Sequence, residues 1–231
     1  YALTTAGTTS TPTFTQSTGD LVIIGLATAQ SCTITPGDSF QNWTNAAGTL
    51  HLLYKELVGS EGGDVAITTS VSTKSSALAY NITAGTFASP PEKSTVATGT
   101  DTGPNPDVVT PAGGTQNYRW IAMFESAGEE GDDDTWCNSA PTSFTNLIQK
   151  TSSTGGLPAT NTCIAAADFA SSASSMNPAA FNTDQSLLWH AYTIAIGPPG
   201  AAPEGHPAGK RLGGVGFAHR GHQYGSGRMV W

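Results

Sequence analysis

Apolar residues in this chain come in short bursts separated by Thr, Ser, Asn and Gly, a spacing that predicts strands joined by turns. The run DLVIIGLATA (20–29) is apolar without alternation and follows Gly19-Asp20, which predicts a strand buried on both faces. LHLLYKELV (50–58) reads as a further strand, with Leu52 and Tyr54 on one face. GSEGGD (59–64) reads as a turn, and in VAITTSV (65–71) alternation gathers Val65, Ile67, Thr69 and Val71, with SALAYNIT (76–83) as the partner strand. Residues 84–116 carry five prolines and read as a long loop with short edge strands such as 94–98. The pattern restarts at YRWIAMFES (118–126) and continues through SFTNLIQKT (143–151), NTCIAAADF (161–169) and LLWHAYTIAI (187–196). About ten strands result, and only the alanines around residues 159–173 offer a helical rival.

The second half repeats the first in outline. DLVIIGLA is echoed by YRWIAMFES about a hundred residues later, and TPGDSFQNWT by APTSFTNLIQ, with Phe40 and Phe144 placed alike after Pro36 and Pro141. SALAYNITAG is echoed by LLWHAYTIAIG, with Tyr80 matching Tyr192. Two such units, each unable to bury its apolar face alone, predict an all-β fold: one antiparallel β-sandwich of jelly-roll type. The expected division is an extended N-terminal arm over 1–19 with an edge strand near Phe14, a sandwich over 20–196, and a Gly/Pro-rich basic arm over 197–231.

Composition supports strands and polar loops. Charged residues are 11% of the chain, against roughly 25% in ordinary soluble domains, so few charged pairs are left to support surface helices. Residues 1–196 hold five Lys/Arg against sixteen Asp/Glu, a net charge of −11, whereas 197–231 hold four against one, a net of +3. The acidic body disfavours nucleic acid as a partner, and no apolar run is long enough to span a bilayer; a soluble protein is expected. Cys32, Cys137 and Cys163 have no disulfide-scaffold or zinc spacing and are expected as reduced, half-buried thiols.

Candidate chemistry is sparse. The acidic stretch AGEEGDDDTW lacks the pattern of a calcium loop, and Asp132, Asp133 and Asp134 read as a solvated loop tip. His219 and His222 lack partners to orient them around a metal. His51 and His190 read as half-buried sheet residues. Glu125 follows a strand without an acidic partner, and neither a nucleophile elbow nor a phosphate loop is present. A non-enzymatic protein without cofactor or metal is the expectation. Trp120 and Trp189 are placed in the core, whereas Trp43 and Trp136 adjoin loops, where such aromatics either plug the ends of a sandwich or stand exposed as a platform for a sugar ligand.

The strand opening GDLVIIGLATA, the Pro-rich turn to Phe40 and Trp43, YKELVGSEGGDVAITTS as a hairpin, and the SSALAYNITAG strand together resemble tailed-bacteriophage virion proteins over roughly residues 18–197. The resemblance implies a non-enzymatic β-sandwich on the virion surface, either decorating the head or attached to the tail. Its partners would be capsid or tail subunits and other copies of itself. The alternative is a carbohydrate-binding adhesin module that recognises a host-surface glycan. Within the basic segment, Phe217, Arg220, Tyr224, Arg228 and Trp231 are the expected partner contacts, on a stretch that spans about 115 Å when extended at ~3.3 Å per residue.

Overall fold

The computed structural model describes residues 8–10, 17–46, 48–61, 65–128, 136–152 and 161–200. Fifteen strands follow one another: β1 (Thr8–Ser10), β2 (Leu21–Thr28), β3 (Ile34–Pro36), β4 (Gln41–Ala46), β5 (Leu50–Glu56), β6 (Ala66–Thr69), β7 (Ser75–Ile82), β8 (Glu92–Lys93), β9 (Ala97–Asp101), β10 (Gln116–Gly128), β11 (Cys137–Ser139), β12 (Thr145–Thr151), β13 (Asn161–Ala173), β14 (Asn182–Thr183) and β15 (Leu187–Ile196). Every ladder between them is antiparallel, so the all-β reading holds. The alanine-rich segment is strand β13. Its small side chains stand opposite large ones, Ala165 against Phe124 and Ala166 against Met123, so a residue of weak strand propensity fills the space its neighbours leave.

The first half builds a sheet in the order β4-β5-β2-β7, and the second half builds one in the order β12-β13-β10-β15, extended by β8 and β9 on the free side of β15. Taken in chain order within each half, both sheets run second-third-first-fourth. Tyr80 pairs with Ile23, and Tyr192 with Met123 at the matching place. The turns before Phe40 and Phe144 close alike, through Phe40 N–H to Gly37 O at 3.2 Å and Phe144 N–H to Pro141 O at 2.9 Å. Both phenylalanines are buried, each on the outer side of its own sheet. The repeat is therefore one of topology as well as of sequence pattern. It also replaces the jelly-roll connectivity, which interleaves strands between two sheets; here each sheet is drawn from one contiguous half.

The two sheets pack face to face. Leu21, Ile23, Ala27, Leu50, Leu52, Leu78 and Ile82 of the first meet Ile121, Met123, Ile164, Tyr192, Ile194 and Ile196 of the second. Both outer faces are covered too. Val22, Ile24, Leu26 and Leu53 lie against Ile34, Val65 and Ile67, which belong to β3, β6 and the residue before β6. Trp120, Ala122, Phe124 and Trp189 lie against Val109, Cys137, Phe144 and Phe181 from the connecting segments. All eight residues of β2 are accordingly buried, as its unbroken apolar run predicts.

Two expectations are corrected here. β6 does not pair with β7; it joins β1 and β3 in a separate three-stranded sheet, while β7 pairs with β2. The alternation of Val65, Ile67 and Thr69 was a cover strand's buried face, and Val71 lies beyond it, exposed. Thr8–Ser10 pairs with Thr68, Ile67 and Ala66, so part of the 1–19 segment belongs to this cover, whereas Phe14 lies outside the described residues. One edge strand of each main sheet, β4 and β12, carries a register break against its neighbour, between Asn42 and Thr44 and between Thr145 and Ile148. Asn146 sits at the second break with φ 52°, and its side-chain amide donates to Asp168 Oδ1 at 3.0 Å.

At Gly25 the second sheet's side chains fill the space a side chain would take. A Cβ there would lie 2.3 Å from Met123 Sδ and 2.8 Å from Ile164 Cδ1. Gly25→Val should lower stability by about 1–3 kcal/mol through overpacking, read as a lower urea midpoint at unchanged slope. Met123→Ala added to it should recover part of that loss, because the two sites share one volume.

Candidate functional site

Toward one end of the sandwich the inward positions change from aliphatic to polar. Glu125 stands in register with His190 across the β10–β15 ladder and with Ile164 across β10–β13. Its Oε1 lies 2.6 Å from His190 Nδ1 and accepts the Thr49 hydroxyl at 2.8 Å. Against an ionised carboxylate, which only accepts, that ring nitrogen is the donor. Glu125 and His190 are 1% and 6% exposed, and Glu125 Oε2 has no partner among the described residues. Thr49 belongs to the β4–β5 turn of the first sheet, so the cluster ties one sheet to the other.

Carboxylate, imidazole and hydroxyl are the ingredients of nucleophilic catalysis, but their order here is different. A working relay sets the imidazole between carboxylate and hydroxyl and uses both ring nitrogens. Here the hydroxyl donates straight to the carboxylate, and the ring nitrogen nearest Thr49, at 3.3 Å, is the same Nδ1 that faces Glu125. The geometry makes a clamp. Sequence reasoning left Glu125 without a partner because the register that places it beside His190 is set by ladder pairing some sixty-five residues apart.

His51 is fully buried on the other face of the first sheet, with its Nε2 3.9 Å from Cys32 Sγ. Burial, which disfavours its cation, lowers its pKa to about 4 against a weaker opposing effect from the Gly48 backbone. Cys32, Cys137 and Cys163 are free and buried, not half-buried. Burial raises the Cys32 thiol and pushes Cys137 up to about 12, which makes both poor thiolates. Glu61 holds the turn after β5. Lys55 Nζ is 2.6 Å from its Oε1, and the backbone N–H groups of Val58, Gly59 and Ser60 donate to the same carboxylate. The lysine first, and those N–H groups after it, outweigh burial and bring this carboxyl down to about 2.

The aromatic candidates divide. Trp120 and Trp189 are buried in β10 and β15. Trp136, one of the two candidates for a sugar platform, is 7% exposed. It lines, with Phe124, Pro104 and Trp189, a space of about 10 Å³, room for about one water and no sugar. The reason is that the outer face of the second sheet needs cover, and Trp136 supplies part of it. Trp43 is half-buried, edge-on to Tyr54 at 5.1 Å, with the Lys93 ammonium 6.0 Å from its ring centroid and 5.3 Å from that of Tyr192. A cation already sits where a sugar would stack. Two roomier cavities adjoin the other end of the sandwich. One, of about 160 Å³, is lined by Pro90, Glu92 and Tyr118, and the other, of about 370 Å³, by Asn117, Arg119 and Pro198. Among the described residues no three His, Cys, Asp or Glu side chains come together to hold an ion. Asp132, Asp133, Asp134, His219, His222, Phe217, Arg220, Tyr224, Arg228 and Trp231 lie outside the described residues.

The buried groups set two acid-sensitive windows. The depressed His51 pKa means that the unfolded chain binds a proton first as pH falls. Stability should therefore drop between about pH 6.5 and pH 4 by roughly 3 kcal/mol, and His51→Leu should flatten that slope. The low carboxyl of Glu61 adds stability above pH ~4.5 that is lost toward pH 2, and Glu61→Gln should remove this lower window alone. For the clamp, His190→Leu should cost about 1–3 kcal/mol by removing a hydrogen-bond partner from a buried carboxyl group, and the Glu125→Leu, His190→Leu double variant should cost less. Urea unfolding of the four proteins in that cycle checks it.

No family model matches the chain, and neither a curated protein nor a solved structure is significantly similar to it.

Proposed function

We propose that the protein is a non-enzymatic structural component of a tailed-bacteriophage virion. Its place is on the particle surface as a head decoration protein, with attachment to the tail as the second placement. Segment 197–231 is its docking arm. The observation that carries the non-enzymatic reading is the use made of the reactive groups. Glu125 and His190 tie the two sheets together, Glu61 fixes a turn, and Asp168 pairs with Arg119 at 2.9 Å while holding the register break in β12. These groups serve the scaffold. Together with two sheets buried on both faces, they support a rigid body whose recognition lies in its surface and its arm.

The charge division supports the docking role. A body of net −11 joined to a segment of net +3 suits contact between neighbouring copies, and between the arm and acidic subunits. Phe217, Tyr224 and Trp231 are spaced along the segment with Arg220 and Arg228 between them. Each aromatic, once buried on a partner, would contribute about 1.5–3 kcal/mol, with the arginines adding charge-assisted contacts. The glycan-binding alternative loses support from the burial of Trp136 and the lysine over Trp43.

Particles purified from the source of this sequence should contain the chain in many copies, seen by mass spectrometry of the particle proteins. Chain truncated after Gly200 should stay folded and soluble yet fail to bind particles stripped of it. Absence from purified particles, or full binding by the truncated chain, would count against the virion role and the docking arm respectively.

A further inference from the structure

Lys74, just before β7, is 1% exposed, an unusual place for a lysine. Its Nζ reaches across the gap between the sheets and donates to Asn161 Oδ1, on the first residue of β13, at 2.8 Å. Asn161 is itself 2% exposed. Beside this contact, on the same two chain segments, Ser76 Oγ and Thr162 Oγ1 are 2.8 Å apart. Both backbones are fixed. Lys74 O accepts the Ala29 N–H at 2.9 Å, Asn161 pairs with Gly128 in the β10–β13 ladder, and Thr162 exchanges bonds with Ser152.

A buried lysine is ordinarily matched by a carboxylate. Lys55 meets Glu61 and Arg119 meets Asp168 in this way, whereas the side-chain partner of Lys74 among the described residues is not a carboxylate. What Lys74 faces is a carboxamide. The amine is held by a hydrogen bond to the oxygen of that carboxamide, one covalent bond away from its acyl carbon, in a buried place between fixed strands, and such confinement of a nucleophile beside its electrophile removes much of the entropic barrier to their reaction. We propose that Lys74 and Asn161 join in an intramolecular isopeptide bond between the two sheets.

The step balances without a co-reactant. The unprotonated Nζ attacks Cγ of Asn161 and forms the new C–N bond, and the carbonyl bond re-forms as the Cγ–Nδ2 bond breaks. Nδ2 leaves as ammonia, carrying one proton taken from Nζ. Nothing is oxidised or reduced. The product is a neutral secondary amide, which suits a buried site better than a separate amine and primary amide. The bond covalently ties the first half of the chain to the second, whatever partner the protein serves.

Mass spectrometry of the full-length protein in denaturant decides the matter. The intact mass should fall below the sequence mass by one ammonia, about 17 Da. Digestion should release a branched peptide joining residues 74 and 161, and trypsin should fail to cleave after Lys74. Lys74→Met and Asn161→Ala should each restore the mass expected from their sequences. The proposal is overturned by a wild-type mass that matches the sequence. It is equally overturned by an ammonia deficit carried on an unbranched peptide, which would be a succinimide at asparagine. The wild-type measurement stands alone if either variant fails to fold.

Discussion

Everything in this molecule rests on the contact between two central strands, β2 and β10, each buried on both sides. Leu21, Ile23 and Gly25 face Ile121, Met123 and Ile164 across the inner layer, and Gly25 leaves the room that Met123 and Ile164 fill. An antiparallel sheet can leave one face to water, but these two cannot, because the outward residues of the same strands are also apolar. The demand then passes outward. Val22, Ile24 and Leu26 require the small sheet, and Trp120 and Phe124 require the folded connections of the second half. The many short strands beyond the expected ten are this demand being met.

Low charge is the other side of the same arrangement. With three apolar layers to fill, few positions remain for Lys or Glu, and Glu125, His190 and Lys74, which do enter the interior, each meet a polar partner there. Thr49, Glu125 and His190 join the sheets at one end, and hydroxyl pairs such as Ser76 and Thr162 do so close by. Hydroxyl groups satisfy buried sheet ends without the desolvation cost of ions. The Thr- and Ser-rich composition is thus partly an interior property and not only a device for solubility.

Much of this was legible in the sequence. The unbroken DLVIIGLATA run announced a doubly buried strand, the echo of Phe40 in Phe144 and of Tyr80 in Tyr192 announced two matching sheets, and the last strand ends at Ile196 where its pattern ends. Strand partnership was not legible. Alternation in VAITTSV fixes which residues share a face but not which sheet they join, and so β6 was assigned to β7. The same limit hid the clamp and the Lys74–Asn161 contact, since both depend on residues that only ladder register brings together. The choice between plug and platform for Trp136 was not legible for a related reason: a tryptophan beside a loop has no sequence mark showing that the loop folds back as cover.

The register breaks in β4 and β12 have a consequence for how such molecules can crowd together. These are the strands with free edges at corresponding sides of the two sheets, and each is interrupted where an incoming strand would need an unbroken row of amide and carbonyl groups. Lys150 adds a charge to one of them. A neighbour's strand is thereby discouraged from adding to either of these two edges. Contact across these two sides is left to side chains and not to shared backbone ladders.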